Sequence, residues 1–284
     1  MTNKKITIAL IQHACKNSLD FIENQIKEAA DQGAAVICLQ ELFSTPYFCR
    51  TIDPVHFNLA EPFPGKLSRF FSGLAKKHGV VLIVPFFEKR LDGLYHNSVF
   101  VADADGSLLG IYRKQHIPDD PCFYEKYYFS PGDEGYKIFK TKFGTISVLI
   151  CWDQWFPEAA RTVALMGAEI IFYPTAIGIL KGEESLESKY MNAWKTIQQS
   201  HAIANGVFVA SVNRVGQEGE MNFWGNSFVC DPFGEVISSA SEKKETIILT
   251  EIDYNLITET RHTWPFLRDR RTDTYPVILR KAVP

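Results

Sequence analysis

The six consecutive apolar residues Ala34-Ala35-Val36-Ile37-Cys38-Leu39, set between Gly33 and Gln40-Glu41, constrain this chain more than any other stretch. A strand with one wet face alternates polar and apolar side chains, whereas an unbroken run of this kind suits a strand covered on both faces, as parallel strands are beneath crossover helices. The residues ahead of it agree. Lys5 to Gln12 reads as a strand, and Ser18 as the cap of a helix whose apolar positions Leu19, Ile22, Ile26 and Ala29 keep helical spacing until Gly33. Strand, helix, strand is the building unit of an α/β fold.

The alternation continues. Leu67, Phe70, Phe71 and Leu74 mark a second helix closed by Gly79, and Val80 to Val84 is the next buried strand. Ser98 to Ala102, the turn Asp103-Ala104-Asp105-Gly106 and Leu108 to Tyr112 read as a hairpin. A further unit follows: Thr145 to Ile150 as strand, a helix opened by Pro157 and carrying Ala160, Val163 and Ala164, then Glu169 to Tyr173 as strand. Leu186, Tyr190, Trp194, Ile197 and His201 stripe a long helix that stops at Gly206, and Val207 to Val212 is its strand. Ser227 to Cys230, the turn Asp231-Pro232-Phe233-Gly234, Glu235 to Ser238 and Thr246 to Ile252 form an antiparallel series. The fold class is α/β with mixed sheets, and no repeat of roughly 20 to 50 residues points to a solenoid or propeller.

With 284 residues, 46% of them hydrophobic, the chain can bury one large core, and no linker-like stretch divides it, so residues 1–284 read as one domain with an extended tail from about residue 261. Thirty Lys and Arg against 33 Asp and Glu leave a formal charge of −3, which argues against nucleic acid or an anionic membrane and for small-molecule partners. Met1 to Lys5 leads into a strand pattern rather than a signal-type segment, and no run approaches about 18 apolar residues, so the expectation is a soluble cytoplasmic protein. The six cysteines, Cys15, Cys38, Cys49, Cys122, Cys151 and Cys230, show neither zinc spacing nor a disulfide framework. Phosphate-loop, dinucleotide and H-E-x-x-H patterns do not occur.

Three strand ends carry ionisable groups: Gln40-Glu41-Leu42-Phe43, Tyr112-Arg113-Lys114-Gln115-His116-Ile117-Pro118, and Ile150-Cys151-Trp152-Asp153-Gln154-Trp155-Phe156-Pro157. Strand ends are where α/β folds place their sites. Cys151 leaves an apolar strand just before a proline-started helix, an arrangement that can expose a nucleophile on a tight turn. A thiol attacks well only when a base or a cation favours its thiolate, and Glu41 and Lys114 can supply both. Taken singly, each residue also has a plain reading, as a solvated loop acid, a surface cation and a packed core thiol.

Jointly the three segments resemble, in order, the signatures of the nitrilase superfamily, and the likeness continues through Phe172 to Gly178, Trp224-Gly225-Asn226-Ser227-Phe228 and Arg261-His262 with Phe266 to Arg271. Cys151 to Arg161 and Tyr124 to Asp133 look most like the N-carbamoylputrescine amidohydrolase family within it. That resemblance implies a four-layer α-β-β-α sandwich, no metal or organic cofactor, and a homo-oligomer built on a common dimer. It further implies Glu41, Lys114 and Cys151 as catalytic residues, with Glu125 as a second active-site glutamate that orients Lys114 or substrate. Under this reading the substrate is a carbamoyl-diamine, Cys151 attacks its ureido carbon, and Lys114 and the Trp152 N–H hold the oxyanion. Lys114→Ala then depresses turnover and leaves the fold intact.

A cationic substrate tail needs carboxylates or carbonyl oxygens around it. Asp119-Asp120 and Gly182-Glu183-Glu184 are the acidic segments, although a turn and a solvated helix start would account for them equally. The residues expected to touch substrate are Trp152, Trp155, Asp119, Tyr47, Glu184 and Ala176. His116 and His201 read as packing histidines, Trp155, Trp194 and Trp224 as core or pocket wall, and the arginines from Arg261 to Arg271 as structural or interfacial. The competing readings are an ω-amidase, a carbamoyl-amino-acid hydrolase, a true nitrilase, or a silent binding module that has kept the fold.

Overall fold

The computed structural model describes residues 5–15 and 18–282; Met1 to Lys4, part of the stretch read above for a leader, lie outside them. In chain order the elements are β1 (Lys5–Gln12), α1 (Leu19–Asp31), β2 (Val36–Leu39), α2 (Lys66–His78), β3 (Val81–Leu91), β4 (Leu94–Ala102), β5 (Leu108–Arg113) and α3 (Glu125–Tyr128). There follow β6 (Phe139–Thr141), β7 (Gly144–Val148), α4 (Pro157–Leu165), β8 (Ile170–Thr175), β9 (Gly178–Leu180), α5 (Glu187–Asn205) and β10 (Phe208–Asn213). The chain closes with β11 (Val215–Glu218), β12 (Met221–Trp224), β13 (Phe228–Cys230), β14 (Val236–Ser239), β15 (Thr246–Asp253) and α6 (Asn255–Thr263).

Two six-stranded sheets, ordered β15-β1-β2-β3-β4-β5 and β14-β13-β10-β8-β7-β6, carry the fold, and β11-β12-β9 make a small third sheet. In each large sheet the parallel strands are those joined by helices: β1, β2 and β3 through α1 and α2, and β7, β8 and β10 through α4 and α5. The remaining pairings are antiparallel. The sheets are therefore mixed.

Side-chain parity separates the layers. Ile8 and Leu10 of β1, Val36 and Cys38 of β2, and Val81 and Ile83 of β3 belong to one core with β7, β8 and β10, which lies between the sheets. Their alternates Ala9, Ile11, Ile37, Leu39, Leu82 and Val84 pack on Ile22, Ile26 and Ala29 of α1 and on Phe71 and Leu74 of α2. The continuous apolar run is thus two interleaved half-runs, one for each face. With α4 and α5 outside the second sheet, the stack is helices, sheet, sheet, helices. Full burial of a side chain such as Ile26 stabilises by roughly 1.5–3 kcal/mol.

Helix ends follow their local chemistry. Ser18 accepts the Phe21 N–H at 3.2 Å, and α2 and α5 end on Gly79 and Gly206 with φ of +67° and +56°, values glycine adopts without a Cβ clash.

Three details differ from the expectations. β3 continues past Val84 to Leu91 and turns at Asp92-Gly93 into β4 from Leu94, because the Glu88 that breaks the apolar pattern is bonded by Ser98 and Arg113. The expected strand to Ile150 stops at Val148. The α5 stripe is rotated: Trp194, Gln198, His201, Ala202 and Asn205 are buried, while Tyr190 is 41% exposed. Gln198 and Asn205 can face inward because their side-chain amides bond the helix carbonyls of Trp194 and His201. Among the described residues no helix is long and apolar enough to cross a membrane.

Candidate active site

Three strand exits converge. Glu41 lies two residues beyond β2, Lys114 directly beyond β5, and Cys151 three residues beyond β7, where it opens a 3₁₀ turn through Trp155. Glu125 arrives at the start of the short helix α3. Glu41, Lys114 and Glu125 are fully buried and Cys151 is 4% exposed, so Glu41 is not a solvated loop acid and Lys114 is not a surface cation.

Lys114 Nζ donates to Glu41 Oε1 at 2.9 Å and to Glu125 Oε2 at 2.6 Å. Glu41 Oε1 also accepts from Asn97 Nδ2 at 2.7 Å, and Glu125 Oε1 from the Tyr47 hydroxyl at 2.6 Å. One carboxylate oxygen is left over: Glu41 Oε2 is buried and has no hydrogen-bond partner among the described residues. A buried carboxylate oxygen is costly to leave bare unless a proton or a substrate group comes to it.

The charges tune one another. Burial disfavours the Lys114 ammonium, but Glu125 and Glu41 more than offset this and hold it above the ordinary lysine range. Burial lifts Glu125 to about 7, Lys114 opposing and Glu41 adding to the rise. Burial also pushes the Cys151 thiol well above its usual range, with Glu41 adding to the rise and Lys114 opposing it. At neutral pH the resting sulfur is therefore protonated, and it needs a base in order to attack.

The turn that presents Cys151 is strained and clamped. Cys151 has φ of +41°, a left-handed conformation that costs a non-glycine residue roughly 1–3 kcal/mol. Asp153 holds it there: Oδ2 accepts the Ile150 N–H at 2.9 Å and the Tyr112 hydroxyl at 2.7 Å, while Oδ1 accepts the His116 N–H at 3.0 Å. His116 places Nδ1 2.7 Å from the same oxygen and stacks on Phe156, consistent with a packing role. His201 likewise meets the Tyr173 hydroxyl at 3.0 Å, and burial lowers it to about 4. The Ala176 backbone works weakly against the rise of the Cys151 thiol.

Cys151 opens onto a cleft of about 390 Å³ walled by Trp152, Trp155, Trp224, Ile179 and Leu180. Its carboxylates are Asp120 and Glu183, and among the described residues no lysine or arginine lines it. Trp152 and Trp155 thus stand where substrate would contact them, whereas Ala176 is wholly buried and Tyr47 sits behind the cleft on Glu125. Asp119 and Glu184 are not brought to the cleft. Asp119 is exposed beside Asp120, and Glu184 turns back to accept the Gly182 N–H as a 3₁₀ turn begins. Trp194 is core, donating its indole N–H to Gln154 at 2.9 Å.

Sequence reasoning named both acidic segments but chose Asp119 and Glu184 over their neighbours Asp120 and Glu183, and it overlooked Asn97, which stands between His96 and Ser98 in the polar stretch of β4. Among the described residues no cluster of three or more His, Cys, Asp or Glu could hold a metal ion. Cys38, Cys49, Cys122, Cys151 and Cys230 are free thiols.

Comparison with known proteins adds to this geometry. Residues 7–262 match the carbon-nitrogen hydrolase family model. An N-carbamoylputrescine amidase of Oryza sativa is 46% identical over 288 residues, covering 97% of this chain and 95% of the relative. A citrullinase of Francisella tularensis is 39% identical, covering 97% and 99%. The crystal structure of a carbon-nitrogen hydrolase from Helicobacter pylori superposes with a TM-score of 0.95 at 45% identity, covering 98% of this chain and 100% of that one.

Proposed function

Since the chain belongs to the carbon-nitrogen hydrolase family, we propose that it cleaves N-carbamoylputrescine to putrescine, ammonia and carbon dioxide, with Cys151, Glu41, Lys114 and Glu125 as its catalytic set. The protein is an amidase with the nitrilase-superfamily α/β fold. The observation that carries the mechanism is the bare Oε2 of Glu41, whose charge bears on a thiol that burial keeps protonated.

Glu41 removes the Cys151 proton as the sulfur attacks the ureido carbon, and the Lys114 ammonium with the Trp152 N–H stabilises the tetrahedral oxyanion. The proton held by Glu41 passes to the departing ammonia, leaving a carbamoyl thioester on the enzyme. Water, deprotonated by Glu41, then attacks the thioester carbon and expels the thiol. The resulting carbamate breaks down to carbon dioxide and the free diamine. The reaction balances with water alone. Glu125 and Tyr47 hold Lys114 in place throughout.

The cleft's charge favours a diamine tail. N-carbamoylputrescine ends in an ammonium, and citrulline carries the same ammonium at the same distance from the ureido group plus one carboxylate. Asp120 and Glu183 suit the ammonium, and among the described residues nothing cationic lines the cleft to meet that carboxylate. Kinetics on the two compounds test this: kcat/KM for N-carbamoylputrescine should exceed that for citrulline by roughly a hundredfold, about 3 kcal/mol. A preference for citrulline would overturn the substrate reading and leave the catalytic set standing.

The same proposal treats residues 1–284 as one hydrolase domain, cytoplasmic and homo-oligomeric on a common dimer. The segment from about residue 261, which finishes α6 and continues beyond it, supplies an interface. Exposed Trp264, Phe266, Ile278 and Leu279 support that part of it.

A further inference from the structure

The reading above leaves one fully buried cation unused. Arg214 follows β10 and precedes β11, and it is 0% exposed. Its Nη2 donates to the backbone carbonyls of Glu41 at 3.2 Å and Leu42 at 2.8 Å, and its Nη1 to the carbonyl of Thr45 at 3.0 Å and to Glu218 Oε1 at 2.5 Å. The Phe223 ring lies 5.5 Å from the guanidinium carbon.

These acceptors have something in common. Three are carbonyls of the irregular turn that follows β2, where Leu42 is held at φ of +48°. The turn meets the Leu42 carbonyl itself, through the Thr45 N–H at 3.2 Å, and the planar guanidinium, with five donors in a fixed fork, reaches that carbonyl and those of Glu41 and Thr45 from outside. Glu218 completes the arrangement, because its Oε2 accepts the Tyr47 N–H at 2.7 Å. The bonds then close on themselves. From the Glu41 backbone they run through Arg214, Glu218, Tyr47, Glu125 and Lys114 to the Glu41 carboxylate.

We infer that Arg214, with Glu218, is a positioning residue for the general base: it fixes the strained turn so that Glu41 aims Oε2 at Cys151. The inference rests on the catalytic reading of Glu41 and Cys151. It also ties base to substrate wall, since β11 pairs with β12, which carries Trp224, and β12 pairs with β9, which carries Ile179 and Leu180. Lysine cannot replace Arg214, because a single ammonium cannot reach three separate carbonyls and a carboxylate in one plane.

The test is Arg214→Lys and Glu218→Gln in the full chain, with turnover expressed per Cys151 thiol titrated by iodoacetamide and located by peptide mapping. Arg214→Lys should lower kcat per titrated thiol by roughly 30-fold or more with KM within about threefold, and slow Cys151 alkylation in parallel, since that reaction needs the same base. Glu218→Gln should lower both rates by about fivefold. A merely structural role would change the fraction of titratable enzyme but neither rate. Wild-type kcat and alkylation rate in folded Arg214→Lys overturn the inference; should that variant not fold, unchanged rates in Glu218→Gln do so. Cys151→Ala serves as the control, and activity there would instead strike down the catalytic reading itself.

Discussion

Two pairs of carboxylates serve this molecule in opposite surroundings. Glu41 and Glu125 are sealed around Lys114 with no exposed surface, while Asp120 and Glu183 stand exposed at the cleft. Inside, charges interact through a poorly screening medium, so each depends on the others and removal of one disturbs the whole set. At the cleft, water and salt weaken each contact, and a carboxylate there can favour one tail over another without touching the chemistry. Under the proposed mechanism, catalysis and selection are thereby separated by depth.

That separation can be broken by experiment. Cys151→Ala should abolish turnover and shift the melting temperature by only a few degrees, since just one buried sulfur is lost. Lys114→Ala should cost roughly 10²–10³-fold in kcat. Contrary to the expectation of an intact fold, it should also lose about 3–5 kcal/mol in urea titration, because two buried carboxylates lose their shared cation.

Glu125→Gln probes the interior by pH. The native carboxyl holds its proton up to about 7, whereas an unfolded glutamate releases it near 4.5, so between those values the native state binds the extra proton. Wild-type stability should consequently fall, relative to Glu125→Gln, as pH rises through that window, and level off above it. Parallel melting curves across the window would refute the raised carboxyl.

At the cleft the effects shrink. Glu183→Gln and Asp120→Asn should each raise KM for the diamine substrate by about three- to tenfold, leave kcat within about twofold, and lose part of that difference in high salt. Glu184→Gln, one residue away but turned onto the Gly182 N–H, should change neither constant. If Glu183→Gln instead lowered kcat a hundredfold at constant KM, the division by depth would be wrong.

Those neighbouring residues also mark where sequence stops being legible. The crossover units could be read because buried parallel strands are apolar on both faces, and Ser18, Pro157, Gly79 and Gly206 mark their helices. Which of Asp119 and Asp120, or of Glu183 and Glu184, meets the cleft depends on a one-residue difference in facing that no pattern records. The small sheet of β9, β11 and β12 escaped notice because its strands are of only three to four residues, too short for an alternation to declare itself. Arg214 nonetheless stands at a strand end, after the apolar run Val207 to Val212, where the rule that singled out Glu41, Lys114 and Cys151 would have found it.

The raised thiol of Cys151 bears on the lifetime of the protein as well as on its turnover. Peroxides attack thiolates far faster than thiols, and oxidation beyond the sulfenic acid is largely irreversible. A sulfur that stays protonated until substrate and Glu41 act together, buried but for 4% of its surface, presents little thiolate to an oxidant between turnovers. Cys122, which is only partly buried, should be oxidised ahead of Cys151. Under the proposed mechanism, the burial that obliges the nucleophile to wait for its base should also protect it from oxidation.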